Sequence, residues 1–214
     1  MSAAVAGESG AKYAAGRCAL VVVDMQNDFC AEDGYIAKLL GRDMAVFRSV
    51  AAGVEQALAA ARAAGVPVVW LAARYEDDLV TAAMLRHKRE RAIAATCCVR
   101  GTWGYDWFGV RPAAGEPAFE KHCFSGFGNP AFAAALDGLG VDTLLFTGVQ
   151  TNVCVESTLR DAHTRGFHVA LVEQAVGSHS PELHAATLAN VRFLFGEVLD
   201  LGSLPSLWPA RAAG

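Results

Sequence analysis

Residues 18–24 read Cys-Ala-Leu-Val-Val-Val-Asp, an unbroken apolar run that ends on a carboxylate. A strand with one wet face alternates apolar and polar residues, so an uninterrupted run implies a strand covered on both faces. Similar apolar stretches recur outward along the chain at Val66–Leu71, Asp142–Thr147 and Phe167–Val172, with a short strand candidate at Ala118–His122 and a last one at Val198–Leu201. Helical patterns lie between these runs. In Arg42–Ala64, the residues Val46, Val50, Val54, Leu58 and Ala61 recur every three or four positions until Gly65 and Pro67 stop them. Leu85–Ile93 is a charged helix candidate, Pro130–Leu139 ends at Gly140, and Asn152–Arg165 carries Val155, Leu159 and Ala162 on one face. Ser180 caps a last helix with Pro181 at its first position, running to about Phe195. Strands alternating with helices predict an α/β domain of three layers, α/β/α, around a mainly parallel, doubly wound sheet. Residues 1–16 read as a flexible leader and 17–214 as a single domain.

Composition narrows the function classes. Of 214 residues, 53% are hydrophobic and 19% charged, enough to bury a large core. A formal charge of −4 leaves no basic surplus for a phosphate backbone, so no nucleic-acid partner is expected. The longest apolar runs, Cys18–Val23 and Val66–Ala73, fall far short of the roughly 20 residues of a membrane helix, so no membrane partner is expected either. MSAAVAGESGAKYAAGR at 1–17 lacks a basic segment followed by an apolar one, which points to a cytoplasmic protein. Its six cysteines, none in a C-x-x-C pair, are expected to be reduced thiols.

In open parallel sheets, ligands sit beyond the C-terminal ends of the strands. Asp24 follows the first strand, Lys121 the short third one, and Cys154 the fourth, just inside the next helix. A carboxylate closing a buried strand is costly unless paired, and it reads either as a cap or loop ion pair or as a general base. Lys121 alone reads as an exposed strand-end lysine. Beside Asp24 and a thiol it would pair the acid, lower the thiol pKa and hold developing charge. A helix capped by Asn152 places Cys154 in its first turn, where the dipole and unpaired N–H groups favour a thiolate and can hold an oxyanion. A cysteine in a helix is ordinarily structural, but this strand-end position and its two partners point to a nucleophile. Gly148-Val149-Gln150-Thr151 reads as a tight strand-to-helix turn like a nucleophile elbow, without the G-x-S-x-G sequence.

Three segments carry a family resemblance: ALVVVDMQNDFC at 19–30, KHCFSGF at 121–127 and TGVQTNVCVESTLRDAHTRGFHVALVEQA at 147–175. In them the chain resembles the isochorismatase-like cysteine hydrolases, which include nicotinamidases, N-carbamoylsarcosine amidases, ureidoacrylate amidohydrolases and biuret hydrolases. The resemblance covers about Ala19 to Leu201. It implies the isochorismatase-like fold, an Asp-Lys-Cys triad at Asp24, Lys121 and Cys154, and a cis peptide at Val149–Gln150. The backbone N–H groups of Gln150 and Cys154 would form the oxyanion hole. Many relatives carry a small residue in place of Gln150, so its side chain is expected to reach the substrate or a neighbouring strand. The implied reaction is cleavage of a C–N bond in a small ureido or biuret-type amide through a thioester-type acyl-enzyme, releasing ammonia or an amine. DMQNDFCAEDGYIA at 24–37 and RGTWGYDWFG at 100–109 are most similar to the biuret, triuret and ureidoacrylate branch.

Nicotinamidases of this superfamily hold a metal through an Asp-x-His segment and further histidines. The corresponding stretch here, ARYEDDLV at 73–80, has no histidine, and His87 reads as a surface residue, so no metal and no cofactor are expected. A small planar substrate needs aromatic walls and a few placed polar groups. Phe29, Tyr35, Trp103, Tyr105, Phe124 and Phe127 are the candidate walls, with core packing equally open for each, and Asn27 and Gln150 the candidate hydrogen-bonding groups. Trp103 and Tyr105 stand in the least regular stretch and suit a lid or a subunit contact. Rival readings are a nicotinamidase-type carboxamide amidase and a catalytically idle oligomeric scaffold. A homodimer or homotetramer is expected, with LPSLWPARAAG at 204–214 offering apolar side chains to a neighbour.

Overall fold

The computed structural model describes residues 12–41 and 43–211. The apolar runs form six strands: β1 (Cys18–Val23), β2 (Val68–Ala73), β3 (Ala118–Lys121), β4 (Thr143–Val149), β5 (His168–Gly177) and β6 (Glu197–Leu199). They make one sheet in the order β3-β2-β1-β4-β5-β6, and every pairing is parallel. The helices are α1 (Asn27–Cys30), α2 (Tyr35–Leu40), α3 (Val46–Ala64), α4 (Ala82–Glu90), α5 (Pro130–Leu139), α6 (Glu156–Thr164), α7 (Pro181–Asn190) and α8 (Leu204–Leu207). A π-helical turn, Thr151–Val155, leads into α6.

Alternation along β1 shows why its run is unbroken. Leu20 and Val22 join Trp70, Leu145, Ala170 and Val172 on one face, under Val50, Val54 and Leu58 of α3. Ala19, Val21 and Val23 join Leu71, Leu144 and Phe146 on the other, under Phe132 and Leu136 of α5 and Leu159 of α6. Every residue of β1, β2 and β4 is buried. Both faces are therefore covered, which is the three-layer α/β/α architecture expected from the sequence.

Several boundaries differ from the sequence reading, each for a local reason. Strand β2 runs on to Ala73 through two alanines, and β5 to Gly177 through the mixed stretch Glu173–Gly177, where Val176 and Gly177 pair with Gly148 and Val149. Helix α4 starts three residues earlier than expected, where Thr81 Oγ1 accepts a hydrogen bond from the Met84 N–H at 3.3 Å. Asn152 is not a helix cap: it lies inside the π turn and accepts a hydrogen bond from Ser178 Oγ at 2.7 Å. Residues 1–11 of the expected leader lie outside the described residues. Its last part is built into the fold, since Tyr13 is buried, its hydroxyl donates to Glu197 Oε2 at 2.6 Å, and Lys12 pairs with Glu197. The C-terminal stretch is likewise not an exposed apolar patch. Leu204 and Trp208 are buried, and Trp208 Nε1 donates to the Tyr13 carbonyl at 2.9 Å. The large apolar side chains standing most in the open are Phe193 and Leu194. Among the described residues, no helix is long and apolar enough to cross a membrane.

Candidate active site

The strand order reverses direction at β1 and β4, and a crevice opens beyond the C-terminal ends of such strands. Gly148 makes that edge possible. Its φ is +101°, and a Cβ there would sit 2.0 Å from the Val23 carbonyl oxygen. Only glycine lets the end of β4 pass this close to β1. Asp24 leaves β1 with a left-handed φ of +49°, which a short polar side chain tolerates better than most. Gln26 ties the crevice edge together: it accepts from the Ala73 N–H at 2.8 Å and donates to the carbonyls of Ala73 at 3.1 Å and Tyr105 at 3.0 Å.

Asp24, Lys121 and Cys154 meet at the bottom of this crevice. Lys121 Nζ is 2.8 Å from Asp24 Oδ2, with both side chains fully buried. It donates to Cys154 Sγ at 3.3 Å, to the Tyr75 hydroxyl at 2.9 Å and to the Cys123 carbonyl at 3.1 Å. An ammonium has three protons to give, so these neighbours compete and the sulfur, the most distant, is served most weakly. The Tyr75 hydroxyl also donates to the Cys123 carbonyl at 3.2 Å and lies 3.5 Å from Cys154 Sγ. The Asp24–Lys121 contact is ionic rather than a well-aligned hydrogen bond, and neither carboxylate oxygen receives one of good geometry. Asp24 thus has lone pairs to spare, and the Cys154 thiol and Ala73 N–H lie close enough to favour its charged form.

Burial sets the proton affinities. It pushes the Asp24 carboxyl above the usual carboxylate value, with the Lys121 charge pulling the other way. Burial also disfavours the Lys121 ammonium, but Asp24 and Cys154 outweigh it, and Lys121 titrates above an ordinary lysine. The Cys154 thiol is pushed up to about 12 by burial, against the pull of Lys121. This runs against the expectation of a lowered thiol pKa: loss of solvent outweighs the pull of Lys121. The 2.8 Å contact between Asp24 and Lys121 is that of a carboxylate–ammonium pair, beside a thiol held neutral at neutral pH. Such a set can accept a proton, supply a nucleophile, and keep one positive charge beside whichever partner is negative.

The Val149–Gln150 peptide bond is cis. The Gln150 side chain reaches helix α1 and the loop after β5 rather than a strand: Nε2 lies 3.4 Å from the Phe29 carbonyl, and Oε1 accepts from the His179 N–H at 3.1 Å. Above the trio lies a cavity of about 560 Å3. Of the candidate contact residues, Phe29, Tyr35, Phe124 and Gln150 line it. The others do not. Asn27 Nδ2 donates to the Trp103 carbonyl at 2.8 Å and anchors that loop. Trp103 is exposed, Tyr105 turns its hydroxyl to Glu120 Oε1 at 2.7 Å, and Phe127 packs on Phe132 in the core. His87, expected on the surface, is exposed yet lines the cavity mouth. Tyr75 and His179 also line it and were missed. Both follow strands, β2 and β5, that run further than the sequence suggests and whose ends the strand-end argument did not reach.

The chain is similar to known proteins over most of its length. Residues 18–203 match the family model described as the isochorismatase domain. A ureidoacrylate amidohydrolase RutB from Methylobacterium radiotolerans is 35% identical over 209 residues, spanning 90% of this chain and 81% of the relative. A ureidoacrylate amidohydrolase RutB from an Enterobacter species is 34% identical, spanning 91% of this chain and 93% of the relative. The crystal structure of a cysteine hydrolase from Pseudomonas syringae pv. phaseolicola 1448A superimposes with a TM-score of 0.76 at 25% identity, covering 91% of this chain and 95% of that one. With the sheet order, the buried trio and a family match over nearly its whole length, this chain belongs to the isochorismatase family.

Proposed function

We propose that this protein is a cysteine hydrolase that cleaves a C–N bond of a small ureido-type amide, with Asp24, Lys121 and Cys154 as its reacting triad. The observation that carries the reading is one ammonium, Lys121, within 2.8 Å of a carboxylate and 3.3 Å of a thiol at the floor of a cavity. The relatives named ureidoacrylate amidohydrolase support a ureido head as the reacting group.

The thiol is neutral at rest, so its proton moves to Asp24 as Sγ bonds to the substrate carbonyl carbon. The carbonyl oxygen becomes an oxyanion held by the backbone N–H groups of Gln150 and Cys154. The C–N bond then breaks, and its electron pair leaves on nitrogen, which takes the proton from Asp24 and departs as ammonia or an amine. Water adds to the thioester, giving a proton to Asp24. The carbon–sulfur bond breaks, the product acid departs, and the proton returns to sulfur. Lys121 stays charged throughout: it pairs with Asp24 before the transfer and stabilises the charge that builds on sulfur as the S–C bond forms and again as it breaks. The six cysteines, all free thiols, suit cytoplasmic operation, and exposed Phe193 and Leu194 suit assembly into a homodimer or homotetramer.

Ammonia release from ureidoacrylate-type, biuret and N-carbamoyl substrates tests the reading. Cys154→Ala is expected to lower turnover by about 10^4-fold or more. Wild-type turnover in that variant would remove the nucleophile assignment.

A further inference from the structure

The cavity above Cys154 is far larger than a ureido group needs. Its volume of about 560 Å3 falls among the pockets of roughly 300–1,000 Å3 that enclose drug-sized molecules. Polar groups able to engage a ureido head gather at the floor: Asp24, Gln150, Cys154 and His179. The rest of the wall is mostly of another kind: Ile36 and Leu39 of α2, Val80, Met84 of α4, Ile93 and Phe124 line it, with Asp77, Lys88 and His87 as its charged or polar members. Leu39 and Phe124 remain 43% and 44% exposed, apolar surface that gains by being covered.

Charge points the same way. Lys88, the lysine that lines the cavity, is committed to Asp77, and Lys121, behind the lining, is committed to Asp24. Lys88 also donates to Thr96 Oγ1 at 3.0 Å. Among the described residues, no arginine lines the cavity. A carboxylate on the substrate would lose water against hydrocarbon walls without gaining an unpaired lysine or arginine.

We propose that the substrate carries an uncharged apolar body, an aliphatic chain or aromatic ring on its ureido or amide group, and that this body fills the upper chamber while the scissile carbonyl meets Cys154. The assignment rests on the hydrolase reading of the same site and names its substrate class. The reaction is unchanged: water adds across the C–N bond, ammonia leaves, and the apolar group stays on the acid product.

The test is kcat/KM for the wild-type protein over N-alkylureas and primary amides from methyl to hexyl. Biuret and ω-carboxylate analogues of matched length are measured beside them. Specificity is expected to rise about fourfold per added methylene until the chamber is full. The carboxylate analogues are expected to fall roughly tenfold or more below their alkyl counterparts. Met84→Gln is expected to flatten the rise. A flat or falling series, with biuret or the carboxylate analogues turned over as well or better, overturns the apolar-body assignment but leaves the hydrolase reading standing. The walls would then be left to contacts with a second copy of the chain. Absence of turnover on every compound overturns both.

Discussion

At the floor of the cavity, an acid, an amine and a sulfur are sealed from water at the ends of β1 and β3 and beside β4. The roof is different: Ile36–Leu40 and 77–97 are short helices and loops whose apolar side chains stand half in solvent. The floor holds costly groups in a rigid frame, and each is tolerable only because of its neighbours. The roof holds inexpensive groups in a loose frame, and each can change with little effect on the fold. Chemistry that must stay fixed is therefore placed where stability depends on it. Selectivity is placed where stability does not.

Removing one floor charge should break this arrangement most severely. Lys121→Met keeps the volume but strands Asp24, a fully buried carboxylate, without its cation. The expected loss is about 3–5 kcal/mol of stability, read as a drop in Tm of about 10 °C or more, together with turnover down by about 10^3-fold or more. The double variant Asp24→Asn/Lys121→Met should regain most of the stability and none of the turnover. A single variant melting at the wild-type temperature would mean that the pair is not the strut the floor requires.

Next in size is a pH effect. Asp24 must be ionised to take the thiol proton, and burial raises its pKa above the ordinary aspartate value, which is about 3.9. As pH falls through that raised value, the base gains a proton and kcat/KM declines. The acid limb should therefore be centred clearly above pH 4, and Asp24→Asn should abolish it along with most of the activity. A limb at or below the ordinary value would mean that Lys121, not desolvation, governs the acid.

The sequence made the floor legible and left the roof obscure, for the same physical reason. A strand covered on both faces must be an unbroken apolar run, so the ends of β1 and β4, and with them Asp24 and Cys154, stand out in the sequence, whereas Lys121 ends a short, part-exposed strand of mixed residues and stands out mainly through the segment KHCFSGF. Where a strand continues through smaller or mixed residues, as β2 does through Ala72-Ala73 and β5 through Glu173–Gly177, the apolar signal fades early. Tyr75 and His179 were lost with it. Trp103 and Phe127 failed for a different cause. Aromatic residues look alike in sequence whether they face solvent, core or ligand, and only the packing of Phe127 on Phe132 tells them apart. The stretch from Asp77 to Ala95 carries no period that would announce a cavity wall, because side chains half exposed to water need not repeat in register with a core.

The smallest expected effect sharpens the contrast from the roof side. Leu39 sits on α2 at the cavity mouth, 43% exposed, whereas Leu20 in β1 is fully buried between the same layers that hold Asp24. Leu39→Ser should change stability by no more than about 0.5 kcal/mol, as for other surface positions. Leu20→Ala should cost about 2–5 kcal/mol through the cavity it leaves. Urea unfolding of the two variants side by side measures the difference. If Leu39→Ser proved as damaging as Leu20→Ala, the roof would be part of the structural core, and its apolar side chains would need no ligand to account for them. A near-silent Leu39→Ser leaves those side chains without a folding role, which is the condition under which a cavity wall is free to be shaped by what it binds.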